Sequence, residues 1–193
     1  MKTYFYSILF LLSTFCYSQT VKVDDLFELE VKKVDQRSRL FQVHFKSYYI
    51  TIPKDSKKIQ FRIKAKSLSN KKESFDPNKL FVLLNDKKVR LRPFDGDFIK
   101  LVDVKPDEKN RADSYEYKPE IIDTFKDYQI DGFTDIECCL DFGTKKKPHV
   151  KPIYFDHREI KSNSFSIYFA MPKNQSKGIL YYGNIELIDF EMD

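Results

Sequence analysis

A two-residue rhythm runs through most of this chain and restricts its fold class more than any other feature. Phe27, Leu29 and Val31 alternate with Glu28, Glu30 and Lys32, and Ile59, Phe61, Ile63 and Ala65 with Gln60, Arg62, Lys64 and Lys66. Val89 and Leu91 alternate with Lys88, Arg90 and Arg92, and Phe165, Ile167, Phe169 and Met171 with Ser166, Tyr168 and Ala170. Successive side chains of a strand point to opposite faces, so each segment reads as a strand with one face to a core. Leu80 to Leu84 is continuously apolar, as a central strand is, and Asn85-Asp86 turns the chain back into the next one. Further strands are expected at Leu40 to Ile52, Phe98 to Val104 and Ile179 to Ile188, and Asp123 to Tyr128 reads as one helical turn or a short strand. No window of a dozen residues carries a helical stripe. About ten strands separated by polar turns predict an all-β chain, an antiparallel β-sandwich.

Two segments interrupt the rhythm. Lys105 to Glu120 is polar with two prolines and reads as a long surface loop, and Gly143 to Pro152 reads as a basic turn. Neither is long enough to act as a linker between domains, so a single domain is expected over residues 19–193. Apolar residues make up 41% of the chain, enough for a core of that size, and the 33% charged residues suit its surface. Basic and acidic residues number 34 and 29, a near balance that does not suit nucleic-acid binding.

Residues 1–18 read as a signal peptide. Met1-Lys2 is a short basic start, and Tyr4 to Phe15 is apolar apart from Ser7, Ser13 and Thr14, too short for a spanning helix of about 20 residues. Cleavage after Ser18 places small residues, Cys16 and Ser18, where a signal peptidase reads. Phe15 stands where a lipidation site wants Gly or Ala, which argues against acylation of Cys16. The expected address is therefore the periplasm, cell surface or exterior, with no membrane span in the mature chain.

The run from Ile59 to Pro93 combines an alternating strand, a polar turn at Ser69-Asn70, the segment Phe75-Asp76-Pro77 with Leu80-Phe81, and a hairpin from Asn85 to Leu91. Ser164 to Tyr182 adds a closing strand, a corner at Pro172 and a last apolar strand. These two blocks resemble a bacterial family of exported immunoglobulin-like domains of unknown function. The resemblance implies an immunoglobulin-like sandwich with an envelope address, brings no catalytic residues, and leaves Phe94 to Ile160 unmatched.

Candidate chemistry is sparse. His44 lies on a polar strand face and His149 in the basic turn. His157 stands near Asp156 and Glu159, where an Asp-His-x-Glu cluster would hold a metal or orient a general base, but a second close nitrogen ligand is missing. The alternative is a charged loop with local ion pairs. Asp95-Gly96-Asp97, with Asp103 and Asp107 beyond, lacks the oxygen spacing of a calcium loop and reads as a tight turn with glycine at positive φ, as does Asp131-Gly132. No nucleophile elbow or phosphate loop is present, and carboxylates such as Glu116, Glu120 and Asp123 show no pairing in sequence. In Phe133 to Phe142, read as one strand, Cys138 points inward and Cys139 outward, which rules out an ordinary disulfide between them.

The outward positions Arg62, Lys64 and Lys66, and Lys88, Arg90 and Arg92, make a basic patch for an anionic envelope polymer if their strands are neighbours. The alternative is that Glu28 and Glu30, or Asp135, Glu137 and Asp141, lie between and pair those charges. Tyr48-Tyr49, Tyr115, Tyr117 and Tyr181-Tyr182 would make an adhesive surface if exposed. The expected function is a non-enzymatic envelope interaction or structural module, with no catalytic, cofactor or metal residues and with an envelope or extracellular protein or glycan as partner. Two alternatives stand beside it: a secreted hydrolase or metal-dependent enzyme with its site around Asp156 to Glu159, and a Tyr-lined glycan-binding module.

Overall fold

The computed structural model describes residues 20–37, 53–96, 123–141, 150–152, 155 and 157–192. The strands, in chain order, begin with β1 (Thr20–Val23), β2 (Phe27–Arg37), β3 (Ser56–Ser67), β4 (Glu73–Phe75) and β5 (Leu80–Leu84). Next come β6 (Val89–Leu91), β7 (Pro93–Gly96), β8 (Thr134–Ile136), β9 (Cys139–Asp141) and β10 (Val150–Pro152). The last are β11 (Arg158–Ile160), β12 (Ser162–Pro172), β13 (Lys177–Tyr182) and β14 (Ile185–Glu191). Among the described residues they form two five-stranded sheets, β1-β2-β3-β12-β7 and β14-β13-β5-β6-β8, with β9–β10 and β4–β11 as two-stranded ribbons. Every pairing is antiparallel except β6 with β8.

The inner faces follow the sequence rhythm. Leu29, Val31, Phe61, Ile63, Phe165, Ile167 and Phe169 of the first sheet share one buried cluster with Val82, Leu84, Leu91, Leu180, Leu187 and Phe190 of the second. Phe61 meets Phe169 of its own sheet edge-on at 5.6 Å and Phe190 of the facing sheet at 5.0 Å. Burying each such side chain contributes about 1.5–3 kcal/mol, so this layer dominates the stability of the fold. The chain is the expected all-β sandwich. Among the described residues no helix is long and apolar enough to cross a membrane.

The outer faces depart from the rhythm because other segments cover them. Phe81 and Leu83 of β5 are buried on the outer face of the second sheet beneath Phe125, with Tyr128, Ile130 and Phe133 packed alongside. The segment from 123 to 133, which includes the 3-10 turn Thr124–Tyr128, is thus a strap across that face. Arg90 and Arg92, expected at the surface, are only 0% and 2% exposed under it. Ser166, Tyr168 and Ala170 of β12 are likewise buried.

Four expected boundaries change. Ile179 to Ile188 is a hairpin, with Gly183 at φ 58° turning β13 into β14. In place of one strand from Phe133 to Phe142 there are two short ones in different sheets, Thr134–Ile136 and Cys139–Asp141, with Cys138 buried between them, while Phe142 and the Cys139 side chain lie outside what the structure describes. Asp95-Gly96 is strand, not a tight turn: the described positive-φ glycines are Gly132, as expected, and Gly183. At Gly96 a Cβ would sit 2.9 Å from the Ser166 carbonyl, so glycine there permits close approach of β7 to β12. Val150–Pro152, the end of the expected basic turn, is a strand. Residues 1–18, Leu40 to Ile52, Phe98 to Val104, Lys105 to Glu120, His44, His149 and Asp156 lie outside the described residues.

Candidate functional site

Buried charge marks three places inside the fold: the Lys58–Asp95 ion pair at 3.1 Å, which joins β3 to β7, and two that involve the strap from 123 to 133. On the outer face of the second sheet, Arg90 grips Asp135 with two bonds, Nε to Oδ1 at 2.7 Å and Nη2 to Oδ2 at 2.8 Å. Its Nη1 donates to the carbonyl of Phe125 at 2.9 Å and to that of Tyr128, and the guanidinium lies 3.8 Å from the Phe125 ring centroid. Arg92 holds Asp123 at 2.6 and 3.2 Å and approaches Glu137 at 3.6 Å. The planar fork of arginine suits such paired recognition. The two arginines therefore rivet both the strap and β8 to the sheet. Asp135 and Glu137 do pair the basic strand, as the alternative reading had it, but beneath a strap and not on a surface. The two basic strands are in different sheets, so the joint patch does not form.

The other buried group at the strap is Asp76, 4% exposed, at the junction of β4 and the 3-10 turn Pro77–Lys79. Its Oδ1 accepts from the backbone and side-chain nitrogens of Asn78 at 2.9 and 3.0 Å. Its Oδ2 accepts from Thr124 Oγ1 and lies 3.2 Å from His157 Nε2. Asn78 in turn exchanges two bonds with the backbone of Phe155, at 2.7 and 2.9 Å. His157 therefore pairs with Asp76, distant in sequence, and not with Glu159, which is exposed on β11 opposite Ser74. A histidine oriented by a carboxylate is half of a general-base arrangement. Here, however, each oxygen of the carboxylate also accepts bonds from groups that fix local backbone, so Asp76 works as a knot tying β4, β11 and the strap together. Among the described residues no group of three or more His, Cys, Asp or Glu gathers as a metal site would require.

This knot lies at one end of the sandwich, and the exposed features of that end are distinctive. Asp24 and Asp25 both take positive φ, 51° and 52°, in the turn joining β1 to β2, and Leu26 donates to the Val23 carbonyl at 3.1 Å. Two consecutive positive-φ residues match the twist of a tight hairpin, and Asp tolerates that conformation better than most residues. The next turn, after β3, holds Asn70 at φ 58° and is closed by its own side chains. Ser69 Oγ donates to Glu73 at 2.6 Å and accepts from the Lys71 backbone at 3.2 Å. The two turns are joined by Leu68 N–H donating to the Leu26 carbonyl at 2.8 Å. Leu26 and Leu68 are 42% and 39% exposed, and they are the large hydrophobic side chains exposed among the described residues.

Beside them Lys79 Nζ meets Asp24 Oδ2 at 2.6 Å and lies 5.7 Å from the Tyr182 ring centroid. Burial opposes the Lys79 charge, but the Asp24 carboxylate and Tyr128 outweigh it and raise the ammonium above the ordinary lysine value. Tyr182 stacks on Phe75 at 5.4 Å. Burial, reinforced by the Asp24 and Asp76 charges, pushes its phenol far above the ordinary tyrosine value. Tyr182 is thus a core residue, while Tyr181 is half-buried against Phe81. Sequence reading missed this end, because neither leucine stands out until a single main-chain bond brings the two turns together.

Comparison with family models, curated proteins and solved structures finds no match to this chain.

Proposed function

We propose that this chain is an exported, non-enzymatic binding module, an immunoglobulin-like sandwich that engages an envelope or extracellular protein through the end carrying Leu26 and Leu68. The observation that carries the reading is the pair of exposed leucines on two adjoining turns, each turn held by its own hydrogen bonds. Isolated exposed leucines are ordinary; two side by side on hydrogen-bonded turns offer an apolar anchor that loses little freedom when covered. The riveted strap and the Asp76 knot support the same reading, since both stiffen the scaffold behind those turns. Loops on a rigid scaffold are where binding residues concentrate. The signal-like first residues supply the address.

The test is capture of a protein partner from envelope extract by the mature domain and by a Leu26→Ser, Leu68→Ser variant of unchanged thermal midpoint. Loss of a discrete captured band in the variant is expected. Equal capture by both proteins refutes the reading.

A further inference from the structure

The outer face of the first sheet carries a second surface, independent of the leucine turns. On β3 the outward residues Arg62, Lys64 and Lys66 are all exposed. Lys58 and Gln60, earlier on the same face, are buried, so the open area begins at Arg62. Residues directly opposite one another in antiparallel strands share a face, and the register therefore builds three rows across the sheet. Lys22, Glu28, Lys66 and Ser162 form the first, Thr20, Glu30, Lys64 and Ser164 the second, and Lys33, Arg62 and Ser166 the third.

The charge in these rows is unbalanced, because Lys22, Lys33, Arg62, Lys64 and Lys66 stand against only Glu28, opposite Lys66, and Glu30, opposite Lys64. Glu30 already holds Lys32 at 2.5 Å, and Lys33 holds Asp35 at 3.0 Å. Among the described residues, Arg62, Lys64 and Lys66 form no ion pair within 4.0 Å, and on their far side β12 offers only serine hydroxyls. Alternate residues on a strand are about 7 Å apart, so the three cations form a straight file about 14 Å long. That spacing is shorter than the Debye length of about 8 Å at physiological ionic strength, so neighbouring cations act together on an approaching polyanion.

We infer that this face binds an anionic polysaccharide, its carboxylates or sulfates lying along the Arg62–Lys64–Lys66 file and its hydroxyls against Ser162 and Ser164. A long flat file of cations beside hydroxyl groups suits a linear polymer with repeated charge and many hydroxyls. Single-stranded nucleic acid is the poorer fit, because its binders add aromatic stacking platforms. The outward residues in these rows include no aromatic, and Tyr168, further along β12, is buried against Lys58 at 4.2 Å.

The experiment measures affinity of the full mature chain for polygalacturonate, with neutral dextran and single-stranded DNA as comparison ligands. The variant R62S/K64S/K66S is set against K54S/K87S/K173S, which removes the same net charge from exposed positions elsewhere. The file variant is expected to bind polygalacturonate at least tenfold more weakly, and its plot of log affinity against log salt should flatten by about two to three counterions, as loss of three polyanion contacts implies. The control triple and a charge-preserving R62K/K64R/K66R variant should bind like wild type. Equal weakening in both serine triples, no weakening in either, dextran binding as tight as polygalacturonate, or tighter binding to DNA each overturns the inference. The L26S/L68S variant should bind polygalacturonate normally, which separates this face from the protein-binding end.

Discussion

Replacing Arg90 with Met is the sharpest perturbation of the scaffold. The substitution keeps a long apolar stem but removes a guanidinium that is 0% exposed. Four hydrogen bonds disappear, two to Asp135 and one each to the carbonyls of Phe125 and Tyr128. The Phe125 carbonyl is left dry, at about 1–3 kcal/mol for an unsatisfied buried group. Loss of the contact with the Phe125 ring adds about 1–2 kcal/mol. Asp135, 26% exposed, recovers part of its hydration and limits the remainder. The sum is about 3–5 kcal/mol, the range expected when one partner of a buried pair is removed. For a domain of this size that lowers the thermal midpoint by about 6–20 °C. Urea unfolding measures the loss, and hydrogen exchange locates it: amides of residues 123–136 should exchange faster while those of β3 and β12 keep their order of protection. A partner change of Asp135→Leu in the R90M background should recover some of the stability, since the unpaired carboxylate is then gone. R90M stability within about 0.5 kcal/mol of wild type would refute the rivet, as would destabilisation with no local change in the strap.

Two further perturbations test other regions of the packing. Gly178→Ala should destabilise by about 1–3 kcal/mol in chemical denaturation, because a Cβ there meets the Leu83 carbonyl and Leu84 Cδ2 at 2.9 Å each; a neutral result would mean that β13 and β5 can separate without cost. Tyr182 should stay protonated in the folded state while exposed tyrosines ionise. Its folded-state pKa is raised above the unfolded value near 10, so the stability it contributes is fully present below about pH 10 and is lost as pH rises above that. Ultraviolet titration of wild type against Tyr182→Phe should show one tyrosinate appearing only with alkaline unfolding. Titration of that group near pH 10 in the folded protein would contradict its burial.

What could be read from the sequence divides along the two faces of each sheet. Alternation reports which residues share a face, and it placed Phe61, Ile63, Phe165, Ile167 and Phe169 correctly in the core. It also found Leu80 to Leu84 as a strand covered on both sides. It assigns the other face to solvent by default, and that default failed wherever a distant segment lies on top. Arg90 and Arg92 looked exposed because their partners, Asp123, Asp135 and Glu137, come from the strap and the strand after it, more than thirty positions away along the chain. The Asp76 knot was equally hidden: His157 sits beside Asp156 and Glu159 in sequence, yet its partner comes from the start of a 3-10 turn next to the β4–β11 ribbon. The Asp24-Asp25 turn between β1 and β2 gives no local signal that Leu26 will meet Leu68, which belongs to a turn more than forty positions away along the chain.

Photo-crosslinking from defined positions tests the binding reading most directly. A photoreactive residue is placed at Leu26, at Leu68, and at Lys87, which is exposed in the turn after β5 at the opposite end. Each full chain is then irradiated in envelope extract. The same discrete adduct is expected from positions 26 and 68 and none from position 87. Adducts of equal yield from all three positions, or none from 26 and 68, would contradict the binding reading.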